Sequence, residues 1–199
     1  VSSSERAMGV MAPDWVGPRK TVSTPPDGPP VTKAVERGPR RMSEEFSHIE
    51  DDRASMVDVG DKPEVERRSV AAGRIALQRS TVEAVEDGDV VKGNVLAVAR
   101  VAAIQAVKRT WDDIPMCHQI PITDVNVEFE TAADGIEATV EVASTGQTGV
   151  EMEALNGVTR ALLTVWDMVK SAEKDDDGQY PEAEIGDVRV VEKQKGDPS

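Results

Sequence analysis

The chain has 199 residues, enough for one domain or for one domain with a tail, and carries 37 acidic against 23 basic residues. That imbalance excludes the extended basic face a nucleic-acid partner requires, and a lone cysteine, Cys117, excludes an internal disulfide. The longest nearly apolar run, Val95 to Val107, is 11 apolar residues of 13, interrupted by Arg100 and Gln105; it is too short for the about 20 residues that span a bilayer.

The expectation is a soluble cytoplasmic protein with no membrane and no nucleic-acid partner, since the first residues also lack the apolar core of a secretory signal. Its acidic surface suits a high-salt cytoplasm. Aromatic residues are scarce: Trp15, Trp111, Trp166, Tyr180, Phe46 and Phe129. The core must then be built from Val, Ala, Leu and Ile, which bury less area each. Self-association would help such a chain bury enough.

Residues 1–41 stand apart. They hold 7 of the 12 prolines and seven basic against four acidic residues, whereas 42–199 hold 16 basic and 33 acidic. Pro-rich, aperiodic sequence buries too little apolar surface to offset its ordering entropy. The segment reads either as a disordered tail or as a spuriously translated extension upstream of a true start at Met42. The compositional break favours the second, with the functional domain at 42–199.

Past about Asp52 the pattern becomes regular. Arg68 to Leu77 reads as a strand. Gly93-Asn94 opens a helix, with Asn94 as cap, and Val95 to Arg109 continues it; being apolar almost all round, it should be buried on most sides. Pro115 ends the region. Val125, Val127 and Phe129 alternate with polar residues, as do Ile136, Ala138, Val140 and Val142 beyond the Asp134-Gly135 turn, which predicts a hairpin. Thr148-x-x-Glu151 has the spacing of a capping box and predicts a helix to about Glu173. After an acidic loop, Asp175 to Gly178, Val188 to Glu192 reads as a last strand. The order β-α-β-β-α-β predicts an α+β, ferredoxin-like layer.

The second long helix carries a polar stripe. With Glu153 at zero and about 100° per residue, Thr164, Arg160, Asp167, Asn156 and Lys170 fall between about +20° and −100°. Periodicity alone favours a solvated face for this stripe, and Asp167–Lys170 fits an ordinary ion pair between residues three apart on a helix. The segment Pro115-Met116-Cys117-His118 brings a thiol and one of two histidines together. A metal site lacks the further ligands it needs. A Cys–His nucleophile is disfavoured because adjacent side chains diverge, so a hydrogen-bonding histidine is the better reading. Lys92 precedes a helix start, where backbone N–H groups favour anions.

Read together, seven blocks resemble the cyclic pyranopterin monophosphate synthase family. They are Met56-Val-Asp-Val-Gly-Asp-Lys62, Val91-Lys-Gly-Asn94, Ala97-Val-Ala-Arg-Val-Ala102, Ala106-Val-Lys-Arg-Thr-Trp111, Ile114-Pro-Met-Cys-His118, Thr148-Gly-Val-Glu-Met-Glu-Ala-Leu155 and Leu163-Thr-Val-Trp-Asp-Met-Val-Lys170. They follow the family's order and spacing from about Met56 to Lys193.

The resemblance implies a lyase that converts (8S)-3′,8-cyclo-7,8-dihydro-GTP into cyclic pyranopterin monophosphate with release of pyrophosphate, early in molybdenum cofactor biosynthesis. It implies no cofactor and a homohexamer, a trimer of dimers, with active sites between subunits. Family positions carry over to Lys92, Asp167 and Lys170 as catalytic groups. Substrate contacts carry over to Met116, Cys117, His118, Glu151, Met152 and Glu153, with basic positions at Arg67, Arg100, Lys108 and Lys193. A substrate with a triphosphate needs cations, and a lysine held among other cations has a lowered pKa and can exchange protons near neutrality. On that basis Lys92 and Lys170 are assigned acid/base and phosphate chemistry, with Asp167 orienting Lys170. The chain departs from the family at its end, where Glu192-Lys-Gln-Lys-Gly-Asp-Pro-Ser199 replaces a Gly-Gly-Lys-Ser-Gly tail and Asp197 falls on the later lysine position. Trp166 replaces the usual Tyr, and Asn94 an Asp.

Overall fold

The computed structural model describes residues 49–50 and 53–197; the expectations for residues 1–41 lie outside them. Ile49–Glu50 (β1) and Arg53–Ala54 (β2) pair as a short antiparallel ladder. A four-stranded antiparallel sheet follows, made of Val65–Ala76 (β3), Ile122–Ala132 (β4), Gly135–Gly146 (β5) and Glu184–Lys195 (β6), in the order β4-β5-β3-β6. The helices are Arg79–Asp87 (α1), Val95–Asp113 (α2) and Glu151–Val169 (α3). The class is α+β.

Alternation decides which face of the sheet meets the helices. On β5, Ile136, Ala138, Val140 and Val142 are all fully buried, and on β3 Ala71 and Ile75 share that face. The hairpin turns where Asp134-Gly135 predicts it, with Ala132 opposite Gly135. Helix α3 lies close on this face, because a Cβ at Gly73 would stand 2.8 Å from a methyl of Val158 and 3.1 Å from one of Leu162. The largest fully buried side chains include Ile75, Ile136, Leu162 and several valines but no aromatic residue. The opposite face of the sheet is polar. There Arg68 of β3 bonds Glu141 of β5 at 2.7 Å and Glu192 of β6 at 3.2 Å, tying three strands.

Several expectations change. The first long strand begins at Val65 rather than Arg68. Two helices, not one, separate it from β4; α1 escapes notice because it is short and rich in acids, with only Thr81, Val82 and Val85 buried. Helix α2 opens at the expected cap, where the Asn94 side chain accepts from the Ala97 N–H at 2.9 Å, but it runs on to Asp113. It is not buried on most sides. Val95, Ala99, Ala103, Ala106 and Val107 face the core, while Val98 and Val101 are exposed. The capping box does not form. Helix α3 starts at Glu151 with Val150 as N-cap and no side-chain cap bond, so Thr148 lies too far upstream to serve. That helix ends at Val169, not Glu173, and the chain then turns through an Ala172 N–H bond to Val169. The strand read at Val188 to Glu192 is longer, Glu184–Lys195, with irregular register against β3.

Among the described residues, no helix is long and apolar enough to cross a membrane.

Candidate active site

Helices α2 and α3 pack antiparallel. The start of α2 meets the end of α3, where Lys92 bonds Asp167, and the end of α2 meets the start of α3, where Asp113 bonds Asn156 at 3.0 Å. This pairing sorts the expected site residues into two groups.

The first group sits at the end of α3. Lys92 lies in the turn between α1 and α2, next to Gly93, whose φ of 92° is a conformation glycine adopts freely. From there its ammonium donates to the Asp167 carboxylate at 2.9 Å and to the Asp167 carbonyl oxygen. Lys170, the C-cap of α3, donates to the other Asp167 carboxylate oxygen at 2.8 Å. One carboxylate thus bridges two ammonium groups. Hydrogen bonding from Lys170, then from Lys92, pulls the Asp167 pKa down to about 2. The reciprocal effect raises Lys170, chiefly through its bond to Asp167 and further through nearby Tyr180. This corrects the expectation of a lowered lysine: the dominant neighbour of Lys170 is an anion, not a second cation, and its proton is held more tightly than usual. A depression of about 430 Å³ opens beside the group, walled by Leu163, Trp166, Asp167 and Lys170. Trp166 meets Tyr180 edge-on at 5.7 Å.

The second group sits at the start of α3. Glu153 is only 4% exposed, which corrects the solvated reading at this one position of its stripe; Arg160, Asp167 and Lys170 are exposed as that reading expects. Desolvation drives its pKa up to about 7, its own backbone N–H pulls weakly the other way, and Glu151 adds repulsion. Cys117, half-buried after the end of α2, is raised by burial and then by the charge of Glu153. Its thiol therefore stays protonated at neutral pH, and among the described residues it shares no hydrogen bond with His118, which removes the Cys–His nucleophile. Met116 and His118 flank it, half-buried, and Met152 is exposed on α3. Lys193 reaches over from β6 to pair with Glu151, and Arg67 donates to the carbonyl oxygens of Gly146 and Gln147 at 3.3 and 3.1 Å, just before α3. Arg67 also lines a groove of about 420 Å³ with Ser144, Thr145 and Lys195.

The two groups do not meet within one chain. Glu153 and Lys170 stand about 25 Å apart along the axis of α3. Two further expected residues join neither group. Arg100 donates to the Val127 carbonyl oxygen at 3.1 Å and covers the Phe129 ring at 5.6 Å, while Lys108 is exposed on α2. Sequence reasoning missed Tyr180, because nothing in its spacing ties it to Trp166. It also missed the protonated character of Glu153, which comes from tertiary burial. Among the described residues, no group of three His, Cys, Asp or Glu side chains is placed to hold a metal ion.

A family model described as the MoaC family matches residues 56–196. A probable cyclic pyranopterin monophosphate synthase of Natronomonas pharaonis is 62% identical over 152 residues, 76% of this chain and 95% of its own length. One of Methanoregula boonei is 63% identical over 153 residues, 76% of this chain and 98% of its own. A protein of Methanothermobacter thermautotrophicus named as a probable cyclic pyranopterin monophosphate synthase accessory protein is 55% identical over 154 residues, 77% of this chain and 97% of its own.

Proposed function

The chain belongs to the MoaC family, and from that membership we propose that it is the enzyme of molybdenum cofactor biosynthesis that converts (8S)-3′,8-cyclo-7,8-dihydro-GTP into cyclic pyranopterin monophosphate and pyrophosphate. The observation that carries this reading is the Lys92–Asp167–Lys170 cluster: two ammonium groups held on one carboxylate, with Asp167 and Lys170 walling a depression, on a chain of net charge −14. A polyanionic substrate is otherwise repelled by such a surface.

The chemistry follows from the two environments. Closing the cyclic phosphate requires a hydroxyl oxygen to attack the α-phosphorus, its proton passing to water, while the bond from that phosphorus to the bridging oxygen breaks and pyrophosphate leaves with the electron pair. Lys92 and Lys170 stabilise that developing charge as point cations. Held protonated by Asp167, Lys170 serves as a cationic hydrogen-bond donor to the leaving oxygen rather than as a base. Rebuilding the ring needs a group that exchanges protons near neutrality, and Glu153, at about 7, suits that task. Met116, Cys117, His118, Glu151, Met152, Arg67 and Lys193 border Glu153 as substrate contacts, and Arg100 and Lys108 add basic positions on α2.

The substrate cannot bridge about 25 Å within one chain. Each site therefore combines the start of α3 from one subunit with the end of α3 from another. Exposed Val98, Val101 and Leu163 support this association, and the assembly is a homohexamer, a trimer of dimers. The strand order β4-β5-β3-β6 supports the ferredoxin-like layer. Incubating the purified protein with the cyclised GTP compound tests the activity. Pyrophosphate release with formation of a product that oxidises to a fluorescent pterin is the expected result. Binding without pyrophosphate release would overturn it in favour of an accessory role.

A further inference from the structure

One buried acid takes no part in the chemistry above. Glu173 is 0% exposed, ranking in volume with Ile75, Ile136 and Leu162 in the core. Among the described residues it has no lysine or arginine partner. Both carboxyl oxygens instead accept from a single donor, the backbone N–H of Gln78, at 3.0 and 3.3 Å. Gln78 is the N-cap of α1, a helix with no side-chain cap of its own and no acidic residue in its first turn. The oriented N–H groups of such an end favour an acceptor with negative charge. Glu173 supplies it from a segment 95 residues away.

The place of this contact in the chain gives it a second consequence. In one direction Glu173 follows Lys170 by three residues, through the turn closed by the Ala172 N–H bond to Val169. In the other, Gln78 opens α1, which ends at Asp87, five residues before Lys92. The circuit closes where Lys92 and Lys170 meet on Asp167. Lys170 lies past the last residue of α3, so the helix alone does not fix it, and Lys92 lies in a turn. The Glu173–Gln78 contact is the fixed point common to both arms.

We propose that Glu173 is a positioning residue, which holds the two lysines in register on Asp167 by clamping the turn after α3 to the start of α1. It deepens the reading of that cluster as catalytic, and rests on it for the effect on turnover.

The test is a carbon-13 NMR titration of the Asp167 carboxyl in the full chain, assigned with Asp167→Asn, alongside kinetics. In Glu173→Ala the Asp167 pKa should rise above its wild-type value, by about one unit, as the lysine contacts loosen. Turnover should fall about tenfold or more while KM changes little. Glu173→Gln keeps an acceptor for Gln78 and should preserve both values. If Glu173→Ala fails to fold, Gln78→Pro serves, since it deletes only the donor at a φ of −59° that a proline ring accepts. A folded Glu173→Ala or Gln78→Pro protein whose Asp167 titrates as in the wild type overturns the proposal. That outcome is independent of the catalytic role of the cluster, which fails separately if Lys170→Ala turns over normally.

Discussion

Lys170 and Glu153 have opposite surroundings, and each supports a sharp expectation. Lys170 is exposed and paired to Asp167 three residues earlier; as an ordinary surface pair it would contribute little to stability and nothing to turnover. If it stabilises the leaving group, Lys170→Ala should slow single turnover about 10²-fold or more with the circular dichroism unchanged. Lys170→Arg keeps the charge but replaces a compact point cation by a planar fork, so equilibrium binding should persist while turnover falls. Near-normal turnover of Lys170→Ala would return the pair to a plain helix contact. Glu153 is buried and its pKa in the folded chain, about 7, lies above that of an unfolded glutamate. Below about pH 4.5 both states hold the proton and the fold carries no penalty. As pH rises from about 4.5 to 7 the unfolded chain ionises first, and stability falls by up to about 3 kcal/mol, a loss complete above 7. Thermal melts of Glu153→Gln should match the wild type near pH 4.5 and exceed it at pH 8. Equal melts at pH 8 would mean that the carboxyl is not desolvated.

At the scale of elements, α3 stacks closely on both α2 and β5. A Cβ at Gly157 would stand 2.9 Å from a Val107 methyl on α2 and 3.0 Å from a Val140 methyl on β5. Gly157→Ala gains up to about 1 kcal/mol of helix propensity, but overpacking of this kind costs about 1–3 kcal/mol. The melting temperature should therefore drop by a few degrees, and a rise would show that the layers yield easily. Much of this stacking is legible in the sequence. Alternation around Asp134-Gly135 yields the hairpin and its buried face, and Asn94 yields the start of α2, because both signals act between neighbours in the chain. The departures share a cause. Thr148-x-x-Glu151 has the spacing of a capping box, yet Glu151 is engaged by Lys193 from a strand more than 40 residues later. Helix α1 has no capping side chain at its N-cap, Gln78, because its N-terminal acceptor, Glu173, comes from a distant segment. For the site, residue identity is readable through the seven blocks, but protonation is not. The shift of Glu153 depends on burial and that of Lys170 on which neighbour its ammonium reaches.

At the scale of the whole molecule, the proposal that both groups act on one substrate requires a site shared between subunits, because of the distance between them. Mixing Glu153→Gln and Lys170→Ala subunits, after dissociation and reassembly, should recover about a quarter of wild-type turnover, since random pairing in a symmetric assembly restores about that share of interfaces. No recovery would place each site within one chain. Light scattering should give about six times the 21.4 kDa chain mass. The edge-on Trp166–Tyr180 pair adds a built-in optical reporter of this assembly. Tyr180 is the only tyrosine, so light it absorbs passes to the adjacent indole, and Trp166 emits from the wall of the depression that a neighbouring subunit would cover. In a chain whose Trp15 and Trp111 are replaced by Phe, dilution below the association range should make Trp166 more accessible to acrylamide quenching and shift its emission to the red, and substrate should reverse both changes.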